Sequence, residues 1–218
     1  MRIIRRSGRG FGAIIARIPP SPAQPIMQEQ RRHVRIRFAK PLPAYVGHQG
    51  QNLRAELHNV SLGGALLRTE LPLAIGDRFG LEFALQGMGI DTVPIVISRG
   101  LGDLVGVRFD LGPASEIQLE GAIQDSLRNG IASVLSMHTL AGRKVMRIAG
   151  ALNLSLRNDF FHALDKMGVA EIDLSEVTTV DADGLALCVV AAERRGVVIE
   201  RLSPAVASLW RAARQPSA

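Results

Sequence analysis

Four arginines crowd into the stretch QRRHVRIR, residues 30–37, and a second stretch, NVSLGG at residues 59–64, has the composition of a turn. Guanidinium groups this close repel one another unless an anion or a planar π-surface binds them. Their donor fork fits phosphate oxygens and the O6/N7 edge of guanine, and their flat face stacks on a base. In the turn, Asn59 and Ser61 offer short donors and acceptors, and Gly64 lets a ligand approach the backbone. The two stretches predict a nucleotide site in which the turn folds back onto the arginines.

The spacing of these residues resembles the signature of PilZ domains, a family that binds the bacterial second messenger cyclic di-GMP. Arg-x-x-x-Arg is followed, after a strand, by Asn-x-Ser-x-x-Gly, and GVRF at residues 106–109 is similar to the closing strand of the PilZ barrel. The alternative interpretation is a basic strand entry followed by an ordinary hairpin turn. The resemblance implies that the arginines clamp guanine faces and phosphates and that the turn completes the site. The ligand-binding residues are then Arg31, Arg32, Arg35, Asn59, Ser61 and Gly64.

The positive charge of the chain is concentrated at its N-terminal end. The formal net charge is +6, but residues 1–37 hold nine arginines and one acidic residue, which leaves 17 basic and 19 acidic residues beyond them. A general nucleic-acid-binding surface is therefore not expected on the rest of the chain. The single cysteine, Cys188, rules out an internal disulfide and fits a reducing cytosol, and the histidines show no metal-ligand spacing.

Residues 1–27 form a basic arm rich in proline and glycine. Prolines favour an extended linker in its second half, and glycines weaken any helix in its first half. Three interpretations stay open: a disordered tail, an interfacial membrane anchor, or an upstream extension of a protein that starts at Met27. No apolar stretch is long enough to predict a transmembrane helix.

Residues 28–112 alternate short apolar segments with turn-like ones, which predicts an all-β barrel of six or so antiparallel strands. In FGLEFAL, residues 79–85, large apolar side chains alternate with small or charged ones, as expected of a strand with one buried face. The predicted strands are Arg35–Val46, Leu53–Asn59, Ala65–Thr69, Arg78–Leu85, Val93–Arg99 and Leu104–Asp110.

Residues 113–132 change to the apolar spacing of a helix, and the same spacing continues as far as Leu135. Pro113 lies close to the predicted start, Ser115 is the candidate N-cap, and Gly130 weakens the far end. We expect a connecting helix that packs on the barrel or on a second copy of the chain. The PilZ resemblance implies that such a helix serves as a coupling element.

Residues 133–218 alternate strands with helices, which predicts a small α/β domain as the second domain of the chain. Cys188 and Trp210 lie among apolar neighbours and are expected in its core. The predicted strands are Lys144–Ile148, Ala170–Leu174 and Val197–Glu200, and the predicted helices are Asn153–Met167, Leu185–Arg194 and Ser203–Ala213, the last with Ser203 as N-cap.

Three segments of this region resemble the STAS domain, the fold of anti-sigma-factor antagonists: VMRIAGAL at residues 145–152, IDLSEV at 172–177 and VDADGL at 180–185. In regulated members of that family the loop reads Asp-Ser-Ser-Gly, and a partner kinase phosphorylates the second serine. Here Asp183 stands at that position with a fixed negative charge, either as a helix cap or as a partial mimic of the phosphorylated state. The resemblance implies that Asp181, Asp183 and Gly184 contact a protein partner.

The sequence shows no nucleophile–base–acid set and no phosphate-cradling loop after a strand, so we expect a non-enzymatic signalling protein of the bacterial cytoplasm. Cyclic di-GMP would be its ligand, with no cofactor and no metal, and an anti-sigma factor or kinase-like regulator would be its protein partner. No nucleic-acid partner is expected, and a homodimer stays open. Two alternatives are a scaffold whose barrel binds no nucleotide and a membrane-associated adaptor that uses residues 1–26.

Overall fold

The computed structural model describes residues 33–214, so the predicted arm and two of the predicted ligand residues, Arg31 and Arg32, lie outside the described residues. Seven strands precede the first helix in the described part of the chain. They are β1 (Ile36–His48), β2 (Gln51–Ser61), β3 (Gly64–Arg68), β4 (Gly80–Leu85), β5 (Met88–Thr92), β6 (Ile95–Arg99) and β7 (Leu104–Arg108).

Six of these strands lie where the sequence predicts them, and β5 is additional. The predicted strands leave residues 86–92 unassigned, but Met88 already pairs with Leu85 across a tight hairpin. Only Gln86 and Gly87 make the turn, and both have positive φ, 54° and 77°. Two successive residues with positive φ give the turn a twist that matches the twist of the flanking strands.

The strands β1–β7 close into a barrel. From β6, antiparallel pairing runs through β7, β3 and β2 to β1, and from β1 to β4 and β5. Arg78, just ahead of β4, forms a bridge with Ile95 at the start of β6, and the Val96 amide donates to the Asp77 carbonyl over 2.9 Å. This bridge links β6 to the segment that leads into β4, so the run of paired strands closes on itself, and the predicted barrel is therefore found.

The barrel interior is filled by the alternating apolar side chains that the sequence indicates. Phe79, Leu81, Phe83 and Leu85 are each at most 5% exposed, whereas Glu82 between them is exposed. Burial of one such side chain stabilises the fold by about 1.5–3 kcal/mol. The predicted alternation of residues 79–85 is thus confirmed.

The connecting helix α1 spans Pro113–Arg128 and packs on the barrel, because Leu119, Ala122 and Ile123 belong to the same buried cluster as the barrel interior. Ser115 is not its N-cap: the cap is Gly112, and Pro113 occupies the first turn. Proline at that place costs no hydrogen bond and has a φ suited to a helix, so the helix starts earlier than predicted.

The C-terminal region of the described chain contains a four-stranded sheet and its helices. β8 pairs antiparallel with β9, and β9–β10 and β10–β11 are parallel pairs. The elements are β8 (Ala132–Leu140), β9 (Arg143–Leu152), a 3-10 helix (Leu154–Leu156), α2 (Arg157–Lys166), β10 (Glu171–Val180), α3 (Ala182–Arg195), β11 (Val198–Leu202) and α4 (Pro204–Ala213).

This α/β region has a buried apolar cluster of its own, separate from that of the barrel. Trp210 is 6% exposed and Cys188 is fully buried within it, as predicted. Burial raises the pKa of the Cys188 thiol to about 12, so it behaves as a small apolar side chain and not as a reactive thiol. The predicted helix over residues 153–167 divides into the 3-10 helix and α2.

The barrel and the α/β region share one continuous run of paired strands. The start of β1 pairs with β8, with Arg37 opposite Ser133 and Phe38 opposite Ala132. The strand order is therefore β11-β10-β9-β8-β1-β2-β3-β7-β6. The two regions are joined by backbone hydrogen bonds as well as by α1.

None of the helices in residues 33–214 is long and apolar enough to cross a membrane.

Candidate ligand site

The described end of the arginine run lies against the turn formed by residues 59–64. In the pairing of β1 with β2, Ile36 is opposite Val60 and Arg37 is opposite Asn59. The ring of His33 lies over Gly63, since a Cβ added at Gly63 would sit 3.1 Å from the His33 Cδ2 atom. The structure thus brings the predicted turn and the residues that come after Arg32 together.

Asn59 and Ser61 are nearly fully buried, 3% and 5% exposed. The Ser61 hydroxyl donates to the Gly64 carbonyl over 3.2 Å and so holds the turn closed. The Asn59 Oδ1 atom has no hydrogen-bond partner among the described residues. A buried amide oxygen without a donor costs about 1–3 kcal/mol, so Asn59 Oδ1 is a candidate acceptor in this site.

Gly64 serves the barrel itself. It begins β3, has φ of 157°, and pairs with Arg108 of β7. A Cβ at Gly64 would collide with the carbonyl oxygen of Val107. The close approach of β3 and β7 therefore requires glycine here, and the predicted role of Gly64 in admitting a ligand stays a prediction.

Arg37 belongs to the arginine run but was not among the predicted site residues. Its Nη2 atom forms an ion pair with Asp159 Oδ2 at 2.5 Å, and the two side chains are 34% and 43% exposed. Asp159 lies in the first turn of α2, in the α/β region. No sequence pattern could indicate this pair, because its members are far apart in the chain.

His58, next to Asn59 in β2, does not add charge to the site. Burial lowers the pKa of its imidazole, the nearby Arg68 guanidinium lowers it further, and Glu56 opposes them. The ordinary histidine pKa is about 6.5, so His58 is neutral at pH 7.

The predicted partner loop lies at the start of α3, with Asp181, Ala182 and Asp183 exposed. Asp181 is the N-cap: its Oδ1 accepts a hydrogen bond from the Gly184 amide over 2.7 Å. Asp183 lies inside the first turn, so its side chain is not the N-cap, but its negative charge stands at the helix N-terminus as predicted, where the helix dipole favours it. α3 begins at Ala182 because the short side chain of Asp181 satisfies an amide that would otherwise lack a partner.

The connecting helix reaches both regions at its C-terminal end. Asn129 donates to Gln86 in the β4–β5 turn over 2.9 Å. The Thr178 hydroxyl, near the end of β10, donates to the Leu127 carbonyl over 2.9 Å. The end of α1 thus contacts both the barrel and the strand that leads into the loop at residues 181–184.

Two buried carboxylates in β10, Glu171 and Asp173, form a charge cluster that the sequence did not predict. Arg201 contacts both of them, at 2.8 and 3.4 Å, and Arg147 Nε contacts Asp173 at 3.1 Å. Burial acts to raise the pKa of Asp173, but hydrogen bonds from Ser175 and Arg147 and the charge of Arg201 outweigh it, so the pKa is lowered. The cluster ties β9, β10 and β11 together.

Within residues 33–214 no group of three or more His, Cys, Asp or Glu side chains is placed to hold a metal ion.

Comparison with known proteins finds a family match over the barrel. Residues 29–125 match the family model of the PilZ domain. The match covers β1–β7 and most of α1, and the PilZ resemblance is confirmed for this part of the chain. The matched region ends at residue 125, so the STAS resemblance of the α/β region stays a prediction. No curated protein matches the chain.

Several solved PilZ structures are similar to part of this chain. The PilZ domain with c-di-GMP of YcgR from Escherichia coli is 25% identical and covers 45% of this chain and 92% of that chain, with a TM-score of 0.38. The crystal structure of YcgR in complex with c-di-GMP from Escherichia coli is 26% identical and covers 44% of this chain and 45% of that chain, with a TM-score of 0.39. The PilZ domain of CeSA from a cellulose-synthesizing bacterium is 17% identical over 38% of this chain and 93% of its own, with a TM-score of 0.33. The match of residues 29–125 to the PilZ domain comes from the family model and not from these structures.

Proposed function

We propose that this protein is a non-enzymatic cytoplasmic signalling protein that binds cyclic di-GMP at its PilZ domain. The observation that carries the proposal is the position of the arginine run, whose described end lies beside the Asn59–Gly64 turn within the region that matches the PilZ model. In this proposal Arg31, Arg32 and Arg35 bind phosphates and guanine faces, because a guanidinium offers both a donor fork and a stacking plane. Asn59 contributes its buried acceptor, and Ser61 and Gly64 shape the turn.

The proposed output is a protein partner at the STAS-like α/β region. Asp181 and Asp183 are exposed at the start of α3, where a partner can reach them. The contacts of α1 with Gln86 on one side and Thr178 on the other support a route from the barrel to this loop. An anti-sigma factor or a kinase-like regulator is the partner class that the STAS resemblance favours.

Calorimetric titration of the full chain with cyclic di-GMP tests the ligand. The wild type should bind, and Arg31→Ala/Arg35→Ala should lose affinity by about 100-fold or more, since each hydrogen bond to a charged group contributes about 1.5–3 kcal/mol. Arg54→Ala/Arg68→Ala is the matched control, because both are exposed barrel arginines outside the run. It should bind like the wild type. A wild type that gives no binding heat would support the scaffold alternative instead.

A further inference from the structure

Arg37 lies at the point where three strands meet. It is opposite Asn59 of β2 on one side of β1 and opposite Ser133 of β8 on the other. Directly opposite residues of an antiparallel pair point to the same face of the sheet, so the Arg37 side chain shares a face with Asn59. Arg37 therefore lies beside the proposed dinucleotide site, although it is outside the family signature.

The guanidinium of Arg37 is held by a carboxylate from the other region of the protein. Its Nη2–Oδ2 contact with Asp159 is 2.5 Å, and both side chains stay about one-third or more exposed, so a ligand in solution can reach them. Asp159 lies in the first turn of α2. A carboxylate is favoured there by the helix dipole, with or without Arg37.

A carboxylate and a phosphate compete for the same guanidinium fork. We propose that Asp159 is an internal competitor of the dinucleotide phosphate: Arg37 is paired with Asp159 in the unliganded protein and exchanges that partner for a ligand phosphate on binding. This inference rests on the proposed function and assigns one further binding residue, Arg37, to that site. The exchange leaves the first turn of α2 without its ion pair. Ligand binding at the barrel therefore changes the contacts of the α/β region.

Cyclic di-GMP titration of the full-length wild type and its variants tests this inference. Asp159→Asn should bind about two- to five-fold more tightly than the wild type, the range expected for loss of a partly exposed competing ion pair. Arg37→Gln should bind about tenfold more weakly, because it loses a charge-assisted contact. In the double variant the gain from Asp159→Asn should vanish, because no guanidinium remains at position 37 to be released.

The matched control is Asp165→Asn on the same helix, whose carboxylate pairs with Arg195 at 2.6 Å and not with β1. It should bind like the wild type. In hydrogen exchange, ligand should speed exchange in the first turn of α2 of the wild type and leave that of Asp159→Asn unchanged. Unaltered or weaker binding by Asp159→Asn, or a gain that persists without Arg37, would overturn the inference while the proposed function stands. Absence of binding by the wild type and by every variant would remove the proposed function as well.

Discussion

At the residue scale, the residues of the Asn59–Gly64 turn differ in whether the barrel itself accounts for them. Ser61 uses its hydroxyl to close the turn, and Gly64 is glycine because β7 fills the space of a side chain. Asn59 differs, because its buried Oδ1 has no partner among the described residues. Of the three, Asn59 is the residue whose burial the described contacts leave unexplained.

Replacement of Gly64 by alanine tests its assignment to the barrel. Gly64→Ala should lower the free energy of unfolding by about 1–3 kcal/mol, because the new Cβ collides with backbone that must then shift. The control is Gly121→Ala in α1, where the space is open and alanine should stabilise by about 0.5–1 kcal/mol. Urea unfolding measures both. Equal stability of Gly64→Ala and wild type would contradict the close approach of β3 and β7.

At the element scale, six of the seven barrel strands could be predicted, because apolar and polar residues alternate in strands such as β4 and turn-like residues separate them. It missed β8 because Val134 and Leu135 continue the helical spacing of α1, and only Gly130, with φ of 64°, ends the helix before them. The turn beside the arginine run was predicted from its motif, which is local in sequence. The Arg37–Asp159 pair could not be predicted, since a partly exposed ion pair between distant segments imposes no pattern on either.

The hydrogen bond from Thr178 to the end of α1 gives a prediction for that element. Thr178→Val removes the hydroxyl that donates to the Leu127 carbonyl at 2.9 Å and keeps the side-chain shape. It should lower the free energy of unfolding by about 0.5–1.5 kcal/mol, the net value of one such bond. Thr179→Val is the control, because its contact with the Gly130 carbonyl is 3.5 Å and should contribute less. Equal stability of Thr178→Val and wild type would show that Thr178 does not anchor α1 in solution.

At the scale of the whole molecule, β1 is the element that connects the barrel and its buried cluster to the α/β region. Its inner residues fill the barrel, its first residues pair with β8, and Arg37 reaches α2. Paired backbone, a packed helix and an ion pair thus join the barrel to the α/β region. Such a junction favours cooperative unfolding of the two regions, although each has its own core.

The single tryptophan, Trp210, allows this cooperativity to be measured, because it is buried in the α/β region. If the regions unfold together, cyclic di-GMP bound at the barrel should delay the loss of Trp210 burial. At a free ligand concentration of 100 times Kd, the stabilisation is about 2.7 kcal/mol. Urea unfolding followed by tryptophan fluorescence should show that shift in the wild type and at most about 0.4 kcal/mol in Arg31→Ala/Arg35→Ala, whose affinity is expected to be at least about 100-fold lower. The Trp210 transition could instead stay at the same urea concentration with a ligand that calorimetry shows to bind. The α/β region would then unfold independently of the barrel, and the junction at β1 would contribute little to coupling the two regions.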